Sequence, residues 1–317
     1  MALIAGGIFS AITGGRSDTG ITQLWGVIFT PDSSLPQSVL RDIRLPRTFS
    51  AALLGVNLGL AGLALQAITR NPLASPAILG INQGAALGLT LSLIIPGLTG
   101  LSPDAMAVAG AMAAGVLTFA IAGGLRGKMD SMRLILGGVA VGAFAYAIVR
   151  FSFTLDDELA RSVVRWTVGD IGYIRWPQTR WLAIWALAGL LCSFVLAQRF
   201  NLMALGQASA QGLGSDPRIT LLLGTILAAA LAGISVSVAG PIAFVGLVVP
   251  HIARIGFGAD HRILVPATAL TGAALMLLAD GLSKWLSAPV ETPIGVIAAL
   301  IGAPWFLWLT LSTKESR

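Results

Sequence analysis

Charge is what this 317-residue chain has least of: Asp, Glu, Lys and Arg together supply 11% of it, against about 25% in an average soluble domain. A water-soluble globule of this length cannot cover its surface with so few. Cysteine is reduced to Cys192, which excludes a disulfide-stapled secreted scaffold. The histidines are His251 and His261, and no HExxH, CxxC or DxDxDG pattern occurs, so nothing marks a metal or cofactor site. None of the three lysines, Lys128, Lys284 and Lys314, is followed by Ser or Thr, which excludes a Walker A phosphate loop. What the chain has instead is apolar surface. Hydrophobic residues make up 56%, Gly contributes 38 residues, and the mean hydropathy is +0.85. That rules out intrinsic disorder and suits a bilayer. The net charge of +6 comes from basic residues scattered singly, so it points to membrane orientation and not to nucleic acid.

A helix needs about 20 apolar residues to cross a hydrocarbon core about 30 Å thick. By that measure the chain predicts an all-α integral membrane protein with about ten spans, near 2–14, 48–68, 77–96, 104–125, 134–153, 180–198, 219–239, 242–257, 263–283 and 294–312. The first is short and lacks the basic leader of a signal peptide, which reads as a short or truncated span. No segment between spans is long enough for a soluble domain, so 1–317 reads as one membrane domain. Ten spans put both termini on one side. With that side cytoplasmic, inner loops carry ten basic residues in about 50 positions and outer loops ten in about 80, as the positive-inside rule expects.

Asp280 is the acid set well inside a span, and Lys284 follows at i+4, a favourable pairing on one helix face. A structural ion pair competes here with a proton-carrying role, since intramembrane acids often mark ion pathways. The loop from Leu202 to Asp216 is apolar and rich in small residues yet too short to span. It predicts a short interfacial helix bounded by Gly206 and Gly214, suited either to a groove on a soluble partner or to the lipid surface. Arg44-Leu-Pro-Arg47 places two cations at the outer interface, as snorkelling anchors or as a dock for carboxylates, with Pro46 expected in the first turn of the second span. Asn71-Pro72 and Ser75-Pro76 each read as a helix start. Gly80, Gly84 and Gly88 form a stripe for close helix packing or for lining a wide pathway, and Gly138 and Gly142 repeat the spacing. Between Gly240 and Arg254 a short helix is kinked by Pro250, with His251 beside the kink as a gate element or as a satisfied interior side chain.

Taken together, these segments resemble the FecCD-type permeases, membrane subunits of ATP-binding-cassette importers for ferric siderophores, haem and cobalamin. The blocks that carry the resemblance are Arg44-Leu-Pro-Arg47, Arg70-Asn-Pro-Leu-Ala-Ser-Pro76 with Ile78-Leu-Gly80, Leu205-Gly206 with Ala210, Leu213 and Gly214, Gly240 to Arg254, and Pro293-Ile-Gly-Val with Ile301-Gly-Ala-Pro304. They occur in the family's order from about residue 40 to about 310. The resemblance implies a type II importer permease fold of ten helices in a bacterial inner membrane, paired with a second identical or paralogous permease. It also implies two partner ATPase subunits below and a substrate-binding protein above. By that likeness Leu205, Gly206, Ala210, Leu213 and Gly214, in a loop of about 200–218, form the coupling helix seated on the ATPase. Arg44, Arg47 and Lys284 match positions that receive acidic residues of the binding protein. Ser131 and Met132 match the narrow cytoplasmic gate, and the fifth and tenth spans line the pathway. Gln207 departs from the acid common in relatives. The implied function is ATP-driven uptake of a ferric siderophore, with haem or cobalamin as the alternative cargo and a proton-coupled carrier built on Asp280 as the rival class.

Overall fold

From Leu45 to Thr69 the sequence holds apolar and small residues with no charge after Arg47, and twenty of these residues are buried. That segment is the axis of the protein. The computed structural model describes residues 2–12, 34–95, 97, 102–124, 130–154, 166–286 and 292–312. Arg16, Arg126, Lys128, Arg161, Arg165, Lys314 and Arg317, part of the expected charge asymmetry, lie outside the described residues.

The described residues contain eleven α-helices. They are α1 (Ala2–Ile12), α2 (Leu35–Thr69), α3 (Ile81–Ile94), α4 (Pro103–Ile121), α5 (Ser131–Ser152), α6 (Trp176–Ala204), α7 (Gln207–Gly212), α8 (Pro217–Ala239), α9 (Val245–Phe257), α10 (His261–Leu286) and α11 (Ile294–Ser312). All but α7 match the ten expected spans. Six of them, α2, α4, α5, α6, α8 and α10, have the length and hydropathy to cross a bilayer. α1, α3 and α9 are shorter: α3 has 14 residues, about 21 Å at 1.5 Å per residue. Its span is completed by a 3-10 turn at Pro76–Leu79. Irregular backbone at that depth survives where protein surrounds it.

The second helix starts well before residue 48. It runs from Leu35 through the charged stretch, because Arg44 and Arg47 are buried and held by other helices. Pro46 consequently sits inside the helix and not in its first turn. A π-helical turn at Leu40–Arg44 precedes it, with Leu45 N–H bonding back to Leu40 O. Widening the helix by one residue per turn accommodates a ring that cannot donate.

Bundle packing rests on small residues that let backbones meet, because apolar side chains gain little from leaving lipid for protein. A β-carbon on Gly55 would overlap the carbonyl of Gly272 in α10, and one on Gly62 would overlap the carbonyl of Gly246 in α9. The Gly80, Gly84, Gly88 stripe also serves packing. Gly84 and Gly88 lie against Gly110 and Met106 of α4, and Gly80 against Gly138 and Gly142 of α5. Pro250 lies within α9, which continues to Phe257. Its missing N–H leaves Gly246 O without the usual i+4 donor. That carbonyl turns to the Gly62 backbone, while Leu247 O, next to it, accepts from Gln66 Nε2 at 3.2 Å. α2 thus packs directly against the kinked segment of α9.

Candidate functional site

α6 ends at Ala204, and the chain turns through Gly206 with φ 104° and ψ 154°, a region open essentially to Gly. After α7, Ser215 N bonds to Ala210 O and Gly214 N to Gln211 O, with Gly214 at φ +81°. This pair of bonds is a Schellman closure. The two glycines therefore fix a single turn of helix that projects from the bundle. Ala210 is fully buried beneath it, whereas Leu205 and Leu213 are 63% and 62% exposed. The result is a rigid knob with two apolar side chains and no charge.

The surroundings of α7 are tied by short polar contacts. Asp130, Asp216 and Asp260 accept the backbone N–H groups of Arg133, Arg218 and Arg262 at 2.9, 2.8 and 3.0 Å, each capping the helix it precedes. Asp260 also accepts Asn201 Nδ2 at 2.7 Å, and Asn201 Oδ1 accepts His261 N–H. This joins the end of α6 to the start of α10. The Arg262 backbone N–H, then the Asn201 amide, hold the Asp260 carboxyl below its ordinary value. Ser131 and Met132 open α5 at this same end, and Met132 is exposed.

At the opposite end lie the three cations expected to dock a binding protein. Arg44, Arg47 and Lys284 are all buried. Asp280, also fully buried, pairs through Oδ1 with Arg47 Nε at 2.7 Å and through Oδ2 with Lys284 Nζ at 2.6 Å. Ser10 of α1 donates to the same Oδ2 at 2.5 Å and its carbonyl accepts Lys284 Nζ at 2.7 Å. Arg44 reaches the carbonyl of Ala11 at 3.5 Å. A charge in this environment is tolerated only when paired and hydrogen-bonded. The cations are therefore inside because Asp280 is inside, and they lock α1, α2 and α10 together. Ser10 and Gln66 escaped the sequence reading. Gln66 at least had a signal, a lone amide in an apolar span; Ser10 had none.

Above this network, Tyr173 Oη donates to Val238 O at 2.6 Å. Burial first, then the carboxylates of Asp170 and Asp104, push its hydroxyl up to about 12. On α5, Met132, Leu136, Val139, Phe144, Tyr146 and Phe151 are exposed along the length of the helix. An open depression of ≈ 510 Å³ runs beside Gly138, Gly142 and Tyr146.

Comparison with known proteins gives a consistent result. The model of the FecCD transport family matches residues 2–312. The iron(3+)-hydroxamate import system permease protein of Bacillus subtilis is 33% identical over 319 aligned positions, covering 100% of this chain and 82% of the relative. The vitamin B12 import system permease protein of Salmonella typhi is 38% identical over 277 positions, covering 86% and 84%. Among solved structures, an inward-facing metal-chelate type ABC transporter superposes with a TM-score of 0.84 at 30% identity, over 98% of this chain and 96% of that one.

Proposed function

Because this chain belongs to the FecCD transport family, an all-helical, multi-pass family of ABC importer permeases, we propose that it carries a ferric siderophore across the inner membrane, driven by ATP hydrolysis on a separate subunit. The observation that carries the reading is the knob at α7: a short, charge-free helix fixed by Gly206 and Gly214, with Leu205 and Leu213 facing outward. It is built to seat in a cleft of a soluble partner. α6 supplies the lever. Its 29 residues form one unbroken helix, about 43 Å long. The far end is tied to α2 through Ser50–Thr179 at 2.8 Å and Asn57 to Leu182 O at 3.4 Å. A push on α7 therefore tilts α6 against α2 and converts closure of two ATPase subunits into alternating access.

In this reading both termini and α7 face the cytoplasm, and the whole chain acts as one permease domain with a second copy or paralogue across the pathway. The exposed face of α5, with Ser131 and Met132 at its cytoplasmic start, borders that pathway together with α11. The binding protein docks at the opposite end, where the Asp280 network fixes the surface from beneath through Arg44, Arg47 and Lys284. The iron-hydroxamate relative, aligned over the whole chain, supports the siderophore cargo. The higher identity of the vitamin B12 relative keeps a corrinoid, or haem, as the second reading.

Proteoliposomes holding the permease, its ATPase and its binding protein test this. Uptake of a labelled ferric hydroxamate should require ATP, and Gly206→Trp should abolish uptake while leaving the protein folded. Uptake by this chain unaided on a proton gradient would overturn the proposal, and uptake of cobalamin or haem alone would replace the cargo.

A further inference from the structure

The stretch from Leu202 to Ser215, which includes α7, has no ionisable side chain. Any charge in its docking surface has to come from another segment, and among the described residues Arg70 lies against it. Arg70, which ends α2, is exposed, and a β-carbon built on Gly206 would lie 3.6 Å from its Nη1. Its backbone is held firmly. Arg70 takes φ 51° and ψ 34°, the left-handed region, without being Gly. On its C-terminal side Asn71 N–H bonds to Thr69 Oγ1, Asn71 Oδ1 accepts Leu73 N–H at 2.9 Å, and Ala74 N–H reaches Asn71 O at 3.1 Å.

Other charged groups at this end of the bundle have partners within the chain. Asp130, Asp216 and Asp260 cap their own helices. Arg254 and Arg262 donate to Gln66 Oε1 and Gln198 Oε1. Arg70 has no hydrogen bond or ion pair among the described residues. A strained, braced backbone thus presents a cation that has no partner among the described residues at the rim of an uncharged apolar knob.

We infer that Arg70 belongs to the ATPase-docking surface and pairs with a carboxylate on the rim of the ATPase cleft that receives α7. The inference rests on the reading of α7 as the coupling helix. An apolar knob supplies contact area, and a flanking ion pair sets register and speeds encounter.

The test measures binding of the purified ATPase subunit to full-length permease in nanodiscs of neutral lipid, at 50 and 500 mM salt. Arg70→Glu should weaken binding about tenfold at low salt and about twofold at high salt, since screening falls mainly on exposed pairs. Arg70→Lys should keep most of the affinity, and a thermal melt within about 2 °C of wild type shows that the fold is intact. If Arg70→Glu does not fold, Arg70→Gln is read instead, with about a threefold loss expected at low salt. Leu213→Asp should abolish binding at both salts. Wild-type affinity for Arg70→Glu beside loss in Leu213→Asp overturns the inference and leaves the α7 reading standing. Wild-type affinity for both overturns the two together. An effect of Arg70→Glu that appears only with anionic lipid assigns the arginine to the membrane and also overturns it.

Discussion

Replacing Asp280 by Asn is the sharpest probe of the bundle. The substitution keeps the shape of the side chain and removes its charge, leaving Arg47 and Lys284 buried with no anion between them. The amide would also turn a donor toward Lys284 Nζ or Arg47 Nε, both donors themselves. Breaking one buried pair costs about 3–5 kcal/mol; with two cations stranded, the upper end of that range, about 5 kcal/mol, is expected. At about 2–4 °C per kcal/mol for a domain of 150–250 residues, the melting temperature should fall by roughly 10 °C or more. The eight tryptophans provide the signal for detergent-solubilised protein. Lys284→Met placed on Asp280→Asn removes one stranded charge and should restore about 0.5–3 kcal/mol, the coupling expected of contacting residues. A melting temperature within 2 °C of wild type for Asp280→Asn refutes the structural account. A normally folded Asp280→Asn that has lost transport gives the carboxylate a role in the transport cycle itself. The rescued double variant should still take up cargo with ATP, which a proton carrier built on Asp280 could not do.

Two further outcomes follow from the geometry. Gly62→Ala should cost more than the about 1–3 kcal/mol of ordinary overpacking, because its β-carbon meets the Gly246 carbonyl. Gly59→Ala should cost less, since its β-carbon would meet the Val249 and Thr268 side-chain methyls at 3.0 and 3.3 Å and no backbone atom nearer than 3.4 Å. Membrane yield and melting temperature of the two variants check the order. Asp260 has a carboxyl held below 3.8 in the fold, so its capping contribution is full above that pH and is lost as pH falls below it. Amide protection at Arg262, corrected for intrinsic exchange, should be flat from pH 7 to 5 and drop only below about pH 3.8.

Much of this was legible in the residues. Deficiency of charge named the solvent, and runs of apolar residues bounded by Gly and Pro located ten helices, because helix length and breakers act locally. The Asp280–Lys284 pair was legible for the same reason: four residues along one helix share a face. The glycines that bound α7 could be picked out too, since a turn at positive φ leaves its mark on the residue type.

Other features depended on which helices lie side by side. Nothing near residue 47 announces residue 280, so the sequence alone offered anchoring or docking for Arg44 and Arg47, and only the fold showed them buried against α1 and Asp280. The second helix begins at Leu35 and not near 48 because its charges find partners on α1 and α10, which no window of hydropathy can include. The same holds for Gly62 facing the carbonyl that Pro250 releases, and for Arg70 lying beside Gly206. The amino-acid sequence determined the medium, the helices and their local pairs, all of which follow from short-range geometry. The tertiary structure decided which charges are buried and which remain on the surface, because burial of a charge depends on partners brought from more than 200 residues away.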